Sequence, residues 1–203
     1  MGEDMLEVKI KSSRLRADLK WDVAAALSSA TCHHIQGRNG LGKSTFLDEL
    51  KAHWKDFFPA LPLGFVDQGP LSSFEGLQVR TLVDTMWDVE RERRLENDWR
   101  SLSCWQTSFA RSLIGKPVAR LSGGEAQWVK LLMMRSLRAS VWMLDEPFQS
   151  LDHERQSELW KLLAQELAAG RTLLLVHHGP VALSPLAEWT LTCGATGVRL
   201  EKL

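Results

Sequence analysis

Hydrophobic and polar positions change their period several times along the chain. Leu6-Glu7-Val8-Lys9-Ile10-Lys11 alternates with period two, the mark of a half-buried strand, and Leu19-Lys20-Trp21-Asp22-Val23 and Thr31-Cys32-His33-His34-Ile35-Gln36 read as further short strands. Residues 44 to about 54 read as a helix. Pro59 and Pro62 then break the chain before Leu63-Gly64-Phe65-Val66-Asp67-Gln68, a short buried strand ending in a glutamine. From about Gly69 to Ala119 the period becomes helical, with Leu82, Met86 and Val89, then Leu95, Trp99 and Leu102, recurring at i, i+4 and i+7. The mixed charges of residues 88–94 fall on the other faces, which predicts a helical sub-lobe with a solvated surface. Beyond Leu121 helices and strands alternate: a helix from Gly124 to about Leu137, the strand Val141-Trp142-Met143-Leu144, a helix from Asp152 to about Ala169 closed by Gly170, and the strand Thr172-Leu173-Leu174-Leu175-Val176. Uninterrupted apolar strands separated by helices require a parallel sheet covered on both faces. Residues 188–193 and 198–201 alternate around Gly194 and Gly197 and predict a terminal hairpin.

Composition narrows the class. The 203 residues are 44% hydrophobic and 25% charged, enough to bury a core as one large domain or two small lobes. With 25 Lys+Arg against 25 Asp+Glu and no basic run interleaved with aromatics, charge gives no case for nucleic acid as the main partner. Cys32, Cys104 and Cys193 are odd in number and far apart, which fits unpaired thiols in a reducing compartment. The acidic start Met1-Gly2-Glu3-Asp4-Met5 has no basic segment followed by an apolar stretch, so no secretion signal is expected. No apolar run approaches the roughly 20 residues of a spanning helix, so a membrane role has to come through a partner. Of the nine tryptophans, Trp87, Trp99 and Trp105 fall in the helical stretch, either as core or as part of a docking surface.

Three stretches carry candidate chemistry. Gly37-Arg38-Asn39-Gly40-Leu41-Gly42-Lys43-Ser44-Thr45 fits the spacing G-x-x-x-x-G-K-[ST] of a phosphate-binding loop with one further glycine inside. Gly40 and Gly42 let successive backbone N–H groups turn inward around an anion, Lys43 can reach the outer phosphates, and the Ser44 hydroxyl can ligate magnesium. A strand runs into this loop and a helix leaves it, so a positive helix end faces the phosphates; the alternative is a glycine-rich turn with a lysine nearby. Strand 141–144 delivers Asp145 and Glu146 at its carboxyl end, the edge of an open α/β sheet where ligands sit. Asp145 would hold magnesium, directly or through water, and Glu146 would polarise an attacking water as general base. Taken alone, such a pair is more often a helix cap or a surface feature. Leu121-Ser122-Gly123-Gly124-Glu125-Ala126-Gln127 places a serine and two glycines before a helix, which makes either a second phosphate-binding turn or a capping box between Ser122 and Glu125.

With these motifs in place the chain resembles the ATP-binding cassette (ABC) ATPases over nearly its whole length. Five motifs stand in that family's order: Gly37 to Thr45, Gln68, the signature Leu121-Ser122-Gly123-Gly124-Glu125, the strand ending in Asp145 and Glu146, and Val176-His177-His178. The signature is the most specific. The resemblance implies an α/β P-loop NTPase fold with a mainly parallel core sheet, N-terminal antiparallel strands and an inserted α-helical sub-lobe. It implies one domain over residues 1–203, with 1–68 and 120–203 as the core lobe and 69–119 as the helical sub-lobe.

ATP and Mg2+ are the cofactors it implies. Gly37, Arg38, Asn39, Gly40, Leu41, Gly42, Lys43, Ser44 and Thr45 would hold the phosphates, and Ser44, Gln68 and Asp145 the metal. Glu146, His178 and Gln68 would be catalytic, with His178 on the γ-phosphate. Ser122, Gly123 and Gly124 would close over ATP held by a second subunit, an identical chain in the simplest case, and Asp152 lies in the loop that crosses between subunits. The helical sub-lobe, near Gln68 and residues 82–105, would dock on an integral membrane transporter subunit. That places the protein in the cytoplasm, peripheral on the cytoplasmic face of the inner or plasma membrane through its partner.

The chain also departs from the family's pattern. His177 stands where the family has a small residue, and Gly179 where it has Asp, which removes a carboxylate that could orient His178. The segment between Lys43 and Gln68 is short, so the family's customary hairpin there is expected to be trimmed. The adenine-stacking aromatic falls near Arg14; Arg14 could stack through its guanidinium, or Trp21 could substitute. A transporter motor is the first functional expectation, in the manner of stand-alone ATPase subunits that include the small haem-export ATPases of cytochrome c maturation, a comparison made on size alone. A soluble mechanochemical ABC protein acting in translation or DNA metabolism is the second. An ATP-binding regulator with little turnover, suggested by Gly179, is the third.

Overall fold

The computed structural model of the chain describes residues 5–11, 22–59, 61–69, 71–89, 107–136, 139–194 and 197–202. Strands β1 (Met5–Lys11) and β2 (Asp22–Ser28) pair antiparallel, Met5 opposite Ser28 and Lys11 opposite Asp22, as a sheet of two strands. The expected second strand over residues 19–23 overlaps β2 at Asp22 and Val23, and β2 continues through Ala24-Ala25-Ala26. Alanine is a poor strand former, but seven consecutive cross-strand partners on β1 override local propensity. Residues 19–21 lie outside the described residues.

The main sheet has six strands: β3 (Cys32–Gln36), β4 (Leu63–Val66), β5 (Val141–Asp145), β6 (Thr172–Val176), β7 (Leu186–Gly194) and β8 (Gly197–Lys202). Their order is β4-β5-β6-β3-β7-β8, parallel throughout except for the β7–β8 hairpin at the edge. The predicted terminal hairpin therefore exists, begins at Leu186, and extends the core sheet through the parallel pairing of β7 with β3. Strand β4 stops at Val66, which leaves Asp67 and Gln68 in the turn beyond it.

Period two separates the two faces of this sheet. Ile35, Val141, Met143, Leu174 and Val176 pack with Phe46, Leu47 and Leu50 of α1 (Lys43–Ala52). Cys32, Val66, Trp142, Leu144, Leu173 and Leu175 face the other way, against α5 (Gly123–Ser136) and α6 (His153–Ala168). Because both faces are covered, the strands are continuous apolar runs. Burial also pushes the Cys32 thiol up to about 12, so it is an inert core residue. The helix expected to reach residue 54 is corrected to two: α1 ends at Ala52, and α2 (Trp54–Phe57) restarts after His53. Trp54 is buried and its indole Nε1 donates to the Leu61 carbonyl at 2.8 Å, an anchor across the turn that follows.

The helical segment comprises α3 (Val79–Val89) and α4 (Ser108–Ile114), which pack on each other and on α5. Leu82 and Val83 are buried there. The stripe Leu95, Trp99 and Leu102, with Trp105, lies outside the described residues, as do Arg14 and Trp21, the two candidates for stacking on adenine. Between α5 and α6 the buried carboxylate of Glu166 is bracketed by Arg135, at 2.6 Å, and Arg171. A buried carboxylate needs such partners, since removing one leaves an uncompensated charge. No helix among the described residues is long and apolar enough to cross a membrane.

Candidate nucleotide site

The chain leaves the carboxyl ends of four parallel strands, β3, β4, β5 and β6, into the four segments that the sequence singled out. This is the edge at which open α/β sheets place ligands. After β3, the loop turns through Gly40 (φ 81°) and Gly42 (φ 86°), left-handed conformations that L-residues with a side chain rarely adopt. Gly42 caps α1 and no side chain occupies the cap, so the first-turn amides of α1 are available to an anion. Lys43 is buried, and its ammonium spans the loop, donating to the carbonyls of Gly37 (2.9 Å) and Arg38 (3.4 Å). Arg38, Asn39 and Ser44 are exposed, while Leu41 and Thr45 are half-buried.

Asp145, the last residue of β5, is buried. Burial raises its carboxyl above the usual 3.8; the Ser44 hydroxyl and the Gln68 amide oppose this, Asp48 adds to it, and Lys43 opposes it. Oδ1 of Asp145 is buried with no hydrogen-bond partner. An orphaned carboxylate oxygen beside a hydroxyl and an amide is an all-oxygen donor set, which suits a hard divalent cation such as Mg2+. Among the described residues no group of three or more His, Cys, Asp or Glu is arranged to hold a metal of another kind.

Glu146 adopts φ 47°, a strained conformation for a residue with a side chain, and its amide donates to the Val176 carbonyl at 2.9 Å. That bond holds the end of β5 against the end of β6, where His177 and His178 follow. His178 Nε2 lies 2.9 Å from Glu146 Oε1, and His177 Nδ1 lies 3.9 Å from Glu146 Oε2. Burial raises the Glu146 carboxyl above its usual range, against the opposing charges of His178 and Lys43. A half-buried, proton-seeking carboxylate held by an imidazole has the properties of a general base.

The signature turn realises the capping reading. Ser122 Oγ accepts from the Glu125 amide (3.2 Å) and Glu125 Oε2 accepts from the Ser122 amide (3.0 Å), with Lys116 Nζ 2.5 Å from Glu125 Oε1. Ser122 and Gly123, at the start of α5, are exposed. Asp152 is exposed too, and its carboxylate caps α6 by accepting from the Arg155 amide at 2.8 Å. Lys43, Ser44, Gln68, Asp145, Glu146 and His178 thus come together along one sheet edge, whereas Gly124 of the signature turn packs elsewhere, on the Ser150 carbonyl.

No family model matches the chain. A protein of Cyanophora paradoxa named as a probable ABC transporter ATP-binding protein is 27% identical over 172 residues, covering 71% of this chain and 66% of that protein. A cytochrome c biogenesis ATP-binding export protein, CcmA, of Idiomarina loihiensis is 25% identical over 193 residues, covering 82% of each. Among solved structures, RNase-L inhibitor superposes with a TM-score of 0.76 at 18% identity, over 99% of this chain and 40% of that one. The ADP conformation of an ATP-binding cassette of an ABC transporter superposes with a TM-score of 0.68 at 15% identity, over 94% and 87%. The chain is thus similar to ABC transporter ATP-binding proteins in sequence and shares the fold of an ATP-binding cassette. It spans 66% of the length of the Cyanophora relative and 82% of the Idiomarina one.

The structure adds residues that sequence reasoning missed. Lys130 of α5 donates to the carbonyls of Asp67 (3.0 Å) and Gly69 and to Asp67 Oδ1 (2.7 Å), gripping the turn that carries Gln68 from both sides. His34 of β3 is buried, and its Nε2 lies 3.0 Å from the His177 carbonyl. Its Nδ1 lies 3.3 Å from the Gln36 amide, which also donates to Glu188 at 2.9 Å. A lone lysine in an apolar helix and a histidine in a central strand are detectable as anomalies of the sequence, but the carbonyls of Gly69 and His177 that they bond lie 61 and 143 positions away.

Proposed function

We propose that this ABC chain is the ATP-binding and ATP-hydrolysing subunit that powers an ABC transporter. The observation that carries the reading is the meeting, at one sheet edge, of a glycine loop with Lys43, an orphaned Asp145 oxygen beside Ser44 and Gln68, and Glu146 within 2.9 Å of His178. Gly37, Arg38, Asn39, Gly40, Leu41, Gly42, Lys43, Ser44 and Thr45 bind the phosphates. Ser44, Asp145 and Gln68 hold Mg2+, which when bound neutralises charge on the β- and γ-phosphates. Glu146 takes a proton from the water whose oxygen attacks the γ-phosphorus as the bond to the leaving ADP oxygen breaks, and its raised proton affinity favours that step. His178 orients Glu146 and reaches the γ-phosphate; Gln68 positions the water.

One domain over residues 1–203 carries this machinery, with a helical sub-lobe at 69–119 and the core lobe on either side. The exposure of Ser122, Gly123 and Asp152 supports their use by a second copy of the chain, whose nucleotide the Ser122-Gly123-Gly124 turn closes over. A groove of about 350 Å³ between α5 and the Gln68 turn, lined by Gln68, Leu71, Glu75, Gln127 and Ser150, receives an integral membrane subunit. The buried Gln127 Nε2 makes no hydrogen bond and offers that partner a donor. The protein then sits peripherally on the cytoplasmic face of the membrane. The Idiomarina loihiensis relative is named for export in cytochrome c biogenesis, which makes a complex of that kind the first partner to test.

The test is Mg2+-dependent ATP turnover by the purified chain. Glu146→Gln is expected to abolish turnover and to trap a dimer on gel filtration that forms only with ATP. Purification of the native protein in mild detergent should bring an integral membrane protein with it. Fractionation with the cytosol and salt-sensitive retention on ribosomes or DNA would replace transport by a soluble mechanochemical role.

A further inference from the structure

We propose that His177 is a positioning residue for Glu146, orienting the carboxylate through the oxygen that His178 does not contact. This rests on the reading of Glu146 as the general base.

Two observations carry the inference. The imidazole of His177 is fixed: Phe148 lies 4.8 Å away centroid to centroid, and Trp160 meets the ring edge-on at 5.7 Å, itself stacked on Phe148 at 4.1 Å. Its Nδ1 is buried, makes no hydrogen bond, and sits 3.9 Å from Glu146 Oε2, the oxygen that His178 does not contact. A buried donor or acceptor is seldom left unpaired, and here a small rotation of Glu146 closes the gap. Its other nitrogen, Nε2, borders position 179, where an added Cβ would stand 3.4 Å away at a φ of 140°. That is ordinary van der Waals contact, so the positive φ, and not space beside the ring, is what suits glycine to position 179.

The His177 carbonyl is pinned by His34 Nε2 at 3.0 Å, which fixes the backbone from which both imidazoles project. Burial lowers the affinity of the His177 ring for a second proton, with the charges of His34 and His178 adding to this, so the ring is neutral at physiological pH. A neutral imidazole protonated at Nδ1 can donate to Glu146 without cancelling its charge. The carboxylate is thereby held in one rotamer, with its oxygens aimed by two imidazoles.

Three variants separate this role from packing. His177→Phe keeps the aromatic contacts with Phe148 and Trp160 but removes the nitrogen; His177→Asn keeps a donor near the place of Nδ1; His177→Ala removes both. The Phe and Ala variants should lose about tenfold in kcat for ATP, the scale typical of losing an outer-shell partner, with the KM for ATP unchanged, and Asn should restore most of the loss. Full activity in the Phe variant, or Asn no better than Ala, overturns the proposal.

A second readout does not need turnover. Imidazole 15N spectra of the wild-type protein at neutral pH should show His177 protonated at Nδ1, with a shift on Glu146→Gln. A His177 protonated at Nε2 and indifferent to Glu146→Gln overturns the proposal, whether or not the protein hydrolyses ATP. Loss of turnover with an intact His177–Glu146 signature would instead count against the assignment of Glu146 as base.

Discussion

Lys130 Nζ lies 2.7 Å from Asp67 Oδ1, and the same ammonium donates to the Asp67 and Gly69 carbonyls on either side of Gln68. Helix α5 begins at Gly123, so one rigid element joins the signature turn to the Gln68 turn. Lys130→Met keeps the aliphatic stem and removes every donor. The Asp67 side chain is 53% exposed, which leaves the carbonyl bonds as the larger contribution. We expect a loss of about 1–3 kcal/mol, read as a fall in Tm of several degrees, and a loss of turnover that exceeds any loss of ATP affinity. Unchanged turnover would mean that Gln68 is positioned without this clamp.

Asp145 should show a conflict between stability and activity. Burial raises its carboxyl above 3.8, so the native state binds this proton more tightly than the unfolded chain does. The stability it contributes is therefore present below 3.8 and is lost as pH rises through the raised native value. Once ionised, this carboxylate has an oxygen without a hydrogen-bond partner in the fold. Asp145→Asn removes that charge, and we expect the variant to be more stable than wild type by about 1 kcal/mol at pH 7 while losing Mg2+-dependent turnover. A variant less stable than wild type at pH 7, measured by urea unfolding, would contradict the assignment.

Much of this was legible in the sequence because it is local. The glycine spacing from Gly37 to Gly42 implies the left-handed turns seen there, and the unbroken apolar runs at 141–144 and 172–176 imply strands covered on both faces. The capping box at Ser122 and Glu125 was legible for the same reason, since its two partners are three residues apart. What the pattern missed depends on distant partners. The alanine run of β2 becomes a strand only through β1, the split at His53 follows from the anchoring of Trp54, and the Lys130 clamp and the His34 pairing join segments that local pattern treats as independent.

His33 gives the stability profile an acid limb. It is buried, Trp189 Nε1 donates to its Nδ1 at 3.0 Å, and its Nε2 sits 2.9 Å from the Ser28 carbonyl, a neutral ring with both nitrogens used. Burial lowers its proton affinity below the usual 6.5; the Ser28 carbonyl opposes this and the Lys202 charge adds to it. The unfolded chain then takes up the proton first, so the stabilisation is complete above 6.5 and is lost as pH falls through the lower native value. Urea midpoints between about pH 5 and pH 8 should fall on the acid side, with His177 contributing in the same direction. His33→Gln should flatten this limb; an unaltered slope would place its origin elsewhere.

Two adjacent glycines should respond differently to alanine. A Cβ on Gly124 would stand 2.5 Å from the Ser150 carbonyl oxygen, a contact that only backbone movement relieves. The Ser150-Leu151 segment leads into Asp152, the cap of α6, so that movement would spread to the next helix. A Cβ on Gly123 would meet the Ser150 side chain at 3.5 Å, ordinary van der Waals contact. Gly124→Ala should therefore cost about 1–3 kcal/mol in urea unfolding, the usual range for forced overpacking, and Gly123→Ala a few tenths or less. Equal costs in the two variants would show that the signature turn is not held against the Ser150 backbone in the way this packing requires.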